Sequence, residues 1–177
     1  TGILVTLNAA TEVSNDGYGN TDQLDSIEII IGSKNDDRFT GNAENNTFIG
    51  GDGYDRFYGS KGTDVFYSGI ISGTTHIIDI DTDGTIDANE FGKVAYNVSG
   101  SGIGKVYIDL SNLTRDSDGN WYAITNKSYS VVSDHTYTDG QDKLYGITTI
   151  DATDYDDTLI GHTTGDKFDG LAGEIGR

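Results

Sequence analysis

Between residues 32 and 67 the apolar positions form a comb. Phe39, Phe48, Phe57 and Phe66 stand nine residues apart, each two residues after an acid or amide: Asp37, Asn46, Asp55 and Asp64. Every nine-residue frame opens with glycine, at Gly32, Gly41, Gly50 and Gly59. The frames read GSKNDDRFT, GNAENNTFI, GGDGYDRFY and GSKGTDVFY, so polar residues fill most of the intervening positions. A helix repeats at 3.6 residues and a strand at two, so a period of nine belongs to neither alone. It divides into a six-residue turn and a three-residue strand. In such a strand only the middle side chain points inward, because neighbours alternate faces. That residue is the Phe. Arg38 and Thr40 around Phe39, and Arg56 and Tyr58 around Phe57, are predicted to face outward. Glycine serves the turn where positive φ or a close backbone approach is needed. A fixed period of this length predicts stacked coils, a solenoid.

The comb is not the whole chain. Alternating apolar segments at Ile3, Val5 and Leu7, and at Val106, Ile108 and Leu110, predict two short strands. The sequence also matches itself at an offset of 120: Asp22, Leu24, Ile27, Ile30, Asp37 and Phe48 recur as Asp142, Leu144, Ile147, Ile150, Asp157 and Phe168. The second copy restarts the comb, with Leu159 and Phe168 inward and Asp157 and Asp166 in the acid position, until Ile175 falls where the next Asp is due. Convincing helix caps with a 3.6-residue period are absent, which predicts an all-β chain. The expected organisation is a strand spacer (1–26), a first repeat block (27–69), an insert (70–93), a β spacer and lead-in (94–150), and the start of a second block (151–177).

Charge changes this picture. The 177 residues carry 29 acids against 11 bases, a formal charge of −18. Such a surface repels nucleic acid and anionic membranes. It also opposes compaction of a chain with modest hydrophobicity, so cations are expected to be needed for folding. Cys, Pro and Met are absent, which excludes disulfides and thiolate metal sites. No apolar run approaches the ~20 residues of a membrane helix, and no signal peptide is visible. A fragment of a longer secreted chain, monomeric in itself, is the expectation.

The candidate chemistry is oxygen ligation. Acids at frame position six, turned toward the neighbouring coil and joined by backbone carbonyls, suit a hard cation such as Ca2+. A second candidate is DIDTDGTIDANE at 79–90. Asp79, Asp81, Asp83, Thr85, Asp87 and Glu90 fill the ligand positions of an EF-hand loop, and Gly84 its turn. The β-branched run Thr74–Ile78 and the early Gly92 argue against two flanking helices. DSDGN at 116–120 has no completing acid and reads as a tight turn. Trp121 and Tyr122 are expected to pack on a strand face, with sugar stacking as the alternative. His76, His135 and His162 are scattered, and no nucleophile elbow, phosphate loop or H-E-x-x-H occurs, so no enzyme is expected.

Residues 32–67 and 152–174 resemble the RTX (hemolysin-type calcium-binding) repeats of secreted bacterial proteins. The lead-ins and the VAYNVSG and VYIDLSN segments resemble spacers between such blocks. The resemblance implies a parallel β-roll with two nonapeptides per coil, several calcium ions in the turns, type I secretion, and folding outside the cell in calcium. It makes Asp37 and Asp55 ligands on one edge, Asn46 and Asp64 ligands on the other, and Asp157 and Asp166 their equivalents in the second block. Backbone carbonyls of positions one and three would join them, the former being Gly32, Gly41, Gly50 and Gly59. Asn46 departs from the pattern by losing a charge. The first frame also lacks Gly at positions two and four. The expected role is a calcium-folded structural module of a surface adhesin or toxin. The rival is a module attached to a secreted exoenzyme that binds a polysaccharide or another cell-surface partner, glycan or protein, through 94–145.

Overall fold

The computed structural model describes residues 1–7, 12–24, 26–73, 75–77, 92–97, 103–127, 141–162, 165–170 and 175–176. Among these every regular element is a strand. The four frames give Arg38–Thr40, Thr47–Ile49, Arg56–Tyr58 and Val65–Tyr67. Successive frames alternate between two sheets. The first and third pair in parallel with Phe39 opposite Phe57, and the second and fourth with Phe48 opposite Phe66. Two frames therefore complete one circuit. As the pleat requires, the middle residue of each strand is buried and its neighbours are more exposed.

The four Phe are fully buried and their rings stack. Centroids lie 5.3 Å apart for Phe39–Phe48 and 5.5 Å for Phe57–Phe66 across the sheets, and 5.7 Å for Phe39–Phe57 and 6.0 Å for Phe48–Phe66 along them. Spacings of 4.5–7 Å in offset stacks add about 0.5–1.5 kcal/mol per pair beyond area burial.

Segments outside the comb extend both ranks. In one sheet Val5 pairs with Phe39, Phe57 with Val94, Val94 with Ile150, and Ile150 with Phe168, all in parallel strands. In the other, Ile30 pairs with Phe48, Phe66 with Leu144, and Ile108 with Leu159. Strand Trp121–Lys127 enters this second sheet antiparallel, between Val106–Asp109 and Gln141–Tyr145. Strands Glu12–Asn15 and Asp22–Gln23 continue the first sheet antiparallel beyond Leu4–Thr6. Strands from both comb segments thus lie in the same two sheets.

One inward position is incompletely covered, and one sequence reading needs adjustment. Phe168 is only partly buried, because it lies at the end of the rank. Trp121 does not pack on the core. It is 57% exposed, with the Arg115 guanidinium 5.5 Å above its ring, while its neighbour Tyr122 is buried. Strand alternation sends the two side chains to opposite faces.

Candidate metal centre

The turns stack as the strands do, and position-six carboxylates link one coil to the next, while the Asn46 side chain accepts the Asn42 N–H of its own turn. Asp55 Oδ1 accepts the Asp37 N–H at 2.9 Å, and Asp37 Oδ1 accepts the Ile3 N–H at 2.6 Å. On the opposite edge Asp64 Oδ1 accepts the Asn46 N–H at 2.9 Å, and Asp142 Oδ1 accepts the Asp64 N–H at 2.8 Å. Asp37 is thereby set beside Asp55, and Asn46 beside Asp64. Asp157 forms the same kind of link further on, accepting the Val106 N–H at 2.8 Å. Asp166 bonds within its own turn, to the His162 backbone and ring.

Position-one glycines are required by proximity rather than by φ. A Cβ on Gly50 would lie 1.9 Å from Asp55 Oδ2, and one on Gly32 2.3 Å from Asp37 Oδ2, because each carboxylate folds back over the start of its own frame. Gly51 is different: it has φ +99°, and a Cβ there would lie 2.3 Å from the Ser33 carbonyl oxygen. That carbonyl, from position two of the first frame, points at the coil below. On the other edge the Glu44 carbonyl, from position four, lies 2.5 Å from where a Gly62 Cβ would be. Carbonyls and carboxylates therefore crowd the same gaps between coils.

These gaps hold buried polar atoms that make no hydrogen bond. Asp55 Oδ2 and Asp64 Oδ2 are buried and accept no hydrogen bond, and the Asn46 Nδ2 donor is likewise unpartnered. Buried polar groups are rarely left so. Burial pushes the Asp55 carboxyl up to about 8, with the nearby Asp37 charge adding to it. Burial also pushes Asp64 up to about 7; the Asp142 charge raises it further and Lys127 opposes. Asp142 and Asp157 are raised for the same first reason. Among the described residues no three His, Cys, Asp or Glu side chains converge. Each gap instead offers two position-six side chains, so backbone carbonyls must supply the remaining oxygens, as the ligand number of Ca2+ allows. The donor set fits a hard divalent cation.

Of the other sequence candidates, Asp79, Asp81, Asp83, Thr85, Asp87 and Glu90 lie outside the described residues. DSDGN is a turn: Asp116 accepts the Asp118 and Asn120 N–H groups, and Gly119 has φ +97°. Three residues of the site were not singled out by the sequence as ligands or partners. Asp142 occupies position six of the strand below the fourth frame, two residues before Leu144, and its echo of Asp22 was the available signal. Lys127 Nζ lies 2.6 Å from Asp142 Oδ1 and 3.6 Å from Asp64 Oδ2. The Tyr96 hydroxyl bonds Asp142 Oδ2 at 2.9 Å and Thr125 Oγ1 at 3.0 Å.

No curated protein matches the chain. Residues 22–55 and 40–70 match the family model of the RTX calcium-binding nonapeptide repeat, in 4 copies. The frames with Phe inward and an acid or amide at the coil gap are thus RTX repeats, and RTX repeats bind calcium ions.

Proposed function

We propose that this chain is a calcium-folded β-roll module of a secreted protein, with a structural rather than catalytic role. Calcium would sit between coils, held on one edge by Asp37 and Asp55 and on the other by Asn46 and Asp64. Asp157 and Asp166 take the same part in the second block, and the acidic stretch 79–90 binds a further ion. What carries the reading is the buried carboxylate oxygen Asp55 Oδ2, which accepts no hydrogen bond. A divalent cation supplies the missing positive charge. A chain of charge −18 that lacks it remains expanded. That expanded state suits threading through a type I secretion channel, with folding triggered by extracellular calcium. The parent is a surface adhesin or a toxin.

Far-UV circular dichroism tests this. Little β signal is expected in chelator, and a cooperative gain on adding calcium. A chain fully folded in excess chelator rules the reading out. Exposed Trp121 favours a second reading, a glycan-binding face. Alginate or glycan-array binding that Trp121→Ala abolishes would establish it.

A further inference from the structure

Lys127 is fully buried, stem and ammonium alike. Its Nζ donates to the Ser60 carbonyl at 2.8 Å, the Gly62 carbonyl at 2.9 Å and Asp142 Oδ1 at 2.6 Å. Those three bonds use the three donors of an ammonium. Asp64 Oδ2 lies 3.6 Å away. An ordinary ion pair aims its donors at carboxylates. Here two of the three go to carbonyls of one turn.

The identity of those carbonyls matters. Ser60 and Gly62 are positions two and four of the fourth frame, and Asp64 is its position six. Asp142 is position six of the next strand in the same sheet, since Leu144 pairs with Phe66. The gaps higher up offer the same kinds of group, with the Ser33 and Glu44 carbonyls likewise facing the coil below. We propose that the Lys127 ammonium is a tethered replacement for the calcium ion of this gap, so that the roll is closed below its fourth nonapeptide without metal. The inference rests on the calcium reading of the other gaps.

The topology gives a reason. Below the fourth frame the next coil is not a nonapeptide. Its strand, Gln141–Tyr145, is delivered by an antiparallel partner, Trp121–Lys127, and Lys127 ends that partner. The hairpin brings its own cation, whose local concentration does not depend on calcium outside. The Tyr96 hydroxyl completes Asp142 on its other oxygen. Coils above this gap then have a preformed floor on which to stack as ions arrive.

The test counts ions on the full chain. Lys127→Ala opens the gap and leaves Asp64, Asp142 and the two carbonyls in place. It is expected to bind one more calcium ion than wild type by calorimetry and by metal analysis. Its folding midpoint should move to higher calcium. In calcium-saturated wild type, Lys127 should resist amine acylation while surface lysines react. The lysine proposal alone is overturned if wild type binds calcium but Lys127→Ala gains no ion, or stays unfolded at saturating calcium. It is also overturned if Lys127 acylates at the surface rate. A wild-type chain that binds no calcium overturns the parent reading along with it.

Discussion

Asp55→Asn should change the stability of the module in opposite directions with and without calcium. The Asp55 carboxyl is raised to about 8 in the folded chain, from 3.8 when unperturbed. A folded pKa above the unfolded one means that the folded state binds the proton more tightly. Calcium-free stability is then full below pH ~4 and is lost as pH rises toward 8. Integrated to pH 7, that one carboxyl costs about 4 kcal/mol. Asparagine does not titrate, and its Oδ1 can still accept the Asp37 N–H that Asp55 accepts at 2.9 Å. Its amide donor would be buried without a partner, as Asn46 Nδ2 already is, at a cost of about 1–3 kcal/mol. The calcium-free variant should therefore be more stable than wild type by about 1–3 kcal/mol at pH 7, and less stable at pH 4. In calcium the order reverses, since one of two carboxylates on that edge is lost. The midpoint calcium concentration should rise at least about tenfold, or 1.4 kcal/mol. Urea titration of dialysed, calcium-free protein followed by circular dichroism measures the first effect. TMAO replaces urea where the chain is already below its midpoint. Calcium titration measures the second. A wild-type stability flat from pH 4 to 8, or a variant weakened equally in both conditions, would refute the reasoning.

Other substitutions probe the rest of the frame. Phe57→Ala removes a fully buried ring stacked on Phe39 and Phe66, and should cost about 3–5 kcal/mol in calcium by urea denaturation. Phe168→Ala, at the partly buried end of the rank, should cost clearly less. Gly51→Ala forces a side chain to φ +99° and onto the Ser33 carbonyl. It should cost at least about 1 kcal/mol and weaken calcium binding on the Asp37–Asp55 edge by calorimetry. Asp142→Leu leaves the Lys127 ammonium without its closest anion. A thermal melt should report a loss of about 3–5 kcal/mol, and millimolar calcium should not restore it.

The comb was legible because position in the frame dictates environment. Phe at position eight must be inward and the acid or amide at position six must lie at the gap, and Phe holds through all four frames while the acid holds in three, with Asn46 in the other. The segments that prolong the ranks were legible as strands but not as partners. Val94 and Leu144 are apolar residues in unremarkable surroundings. What joins them to Phe57 and Phe66 is stacking order, set by where chain excursions return, and no local pattern encodes that. Asp142 carried a faint signal, an acid two residues ahead of an inward Leu. Lys127 carried none, because its partners at Ser60, Gly62, Asp64 and Asp142 are assembled only by the hairpin. Trp121 is exposed because strand alternation, not residue type, decides which of two adjacent aromatics is buried.

The two edges of the stack are not equivalent, and the difference lies in charge. Between the first and third frames two carboxylates, Asp37 and Asp55, face one another across the gap. Between the second and fourth, an amide replaces one of them at Asn46. Below the fourth, two carboxylates face a lysine. Affinity for calcium rises with the number of charged ligands. The Asp37–Asp55 gap should then fill first, the Asn46–Asp64 gap later, and the Lys127 gap not at all. Each of the four comb strands contributes one inward side chain to the core, so this part of the stack is not anchored by a thick apolar layer. Cohesion in the turns therefore decides whether the ranks stack. On the proposed reading the module would gain it in steps, from a lysine-closed base upward through gaps whose demand for calcium is set by a single Asp-to-Asn difference.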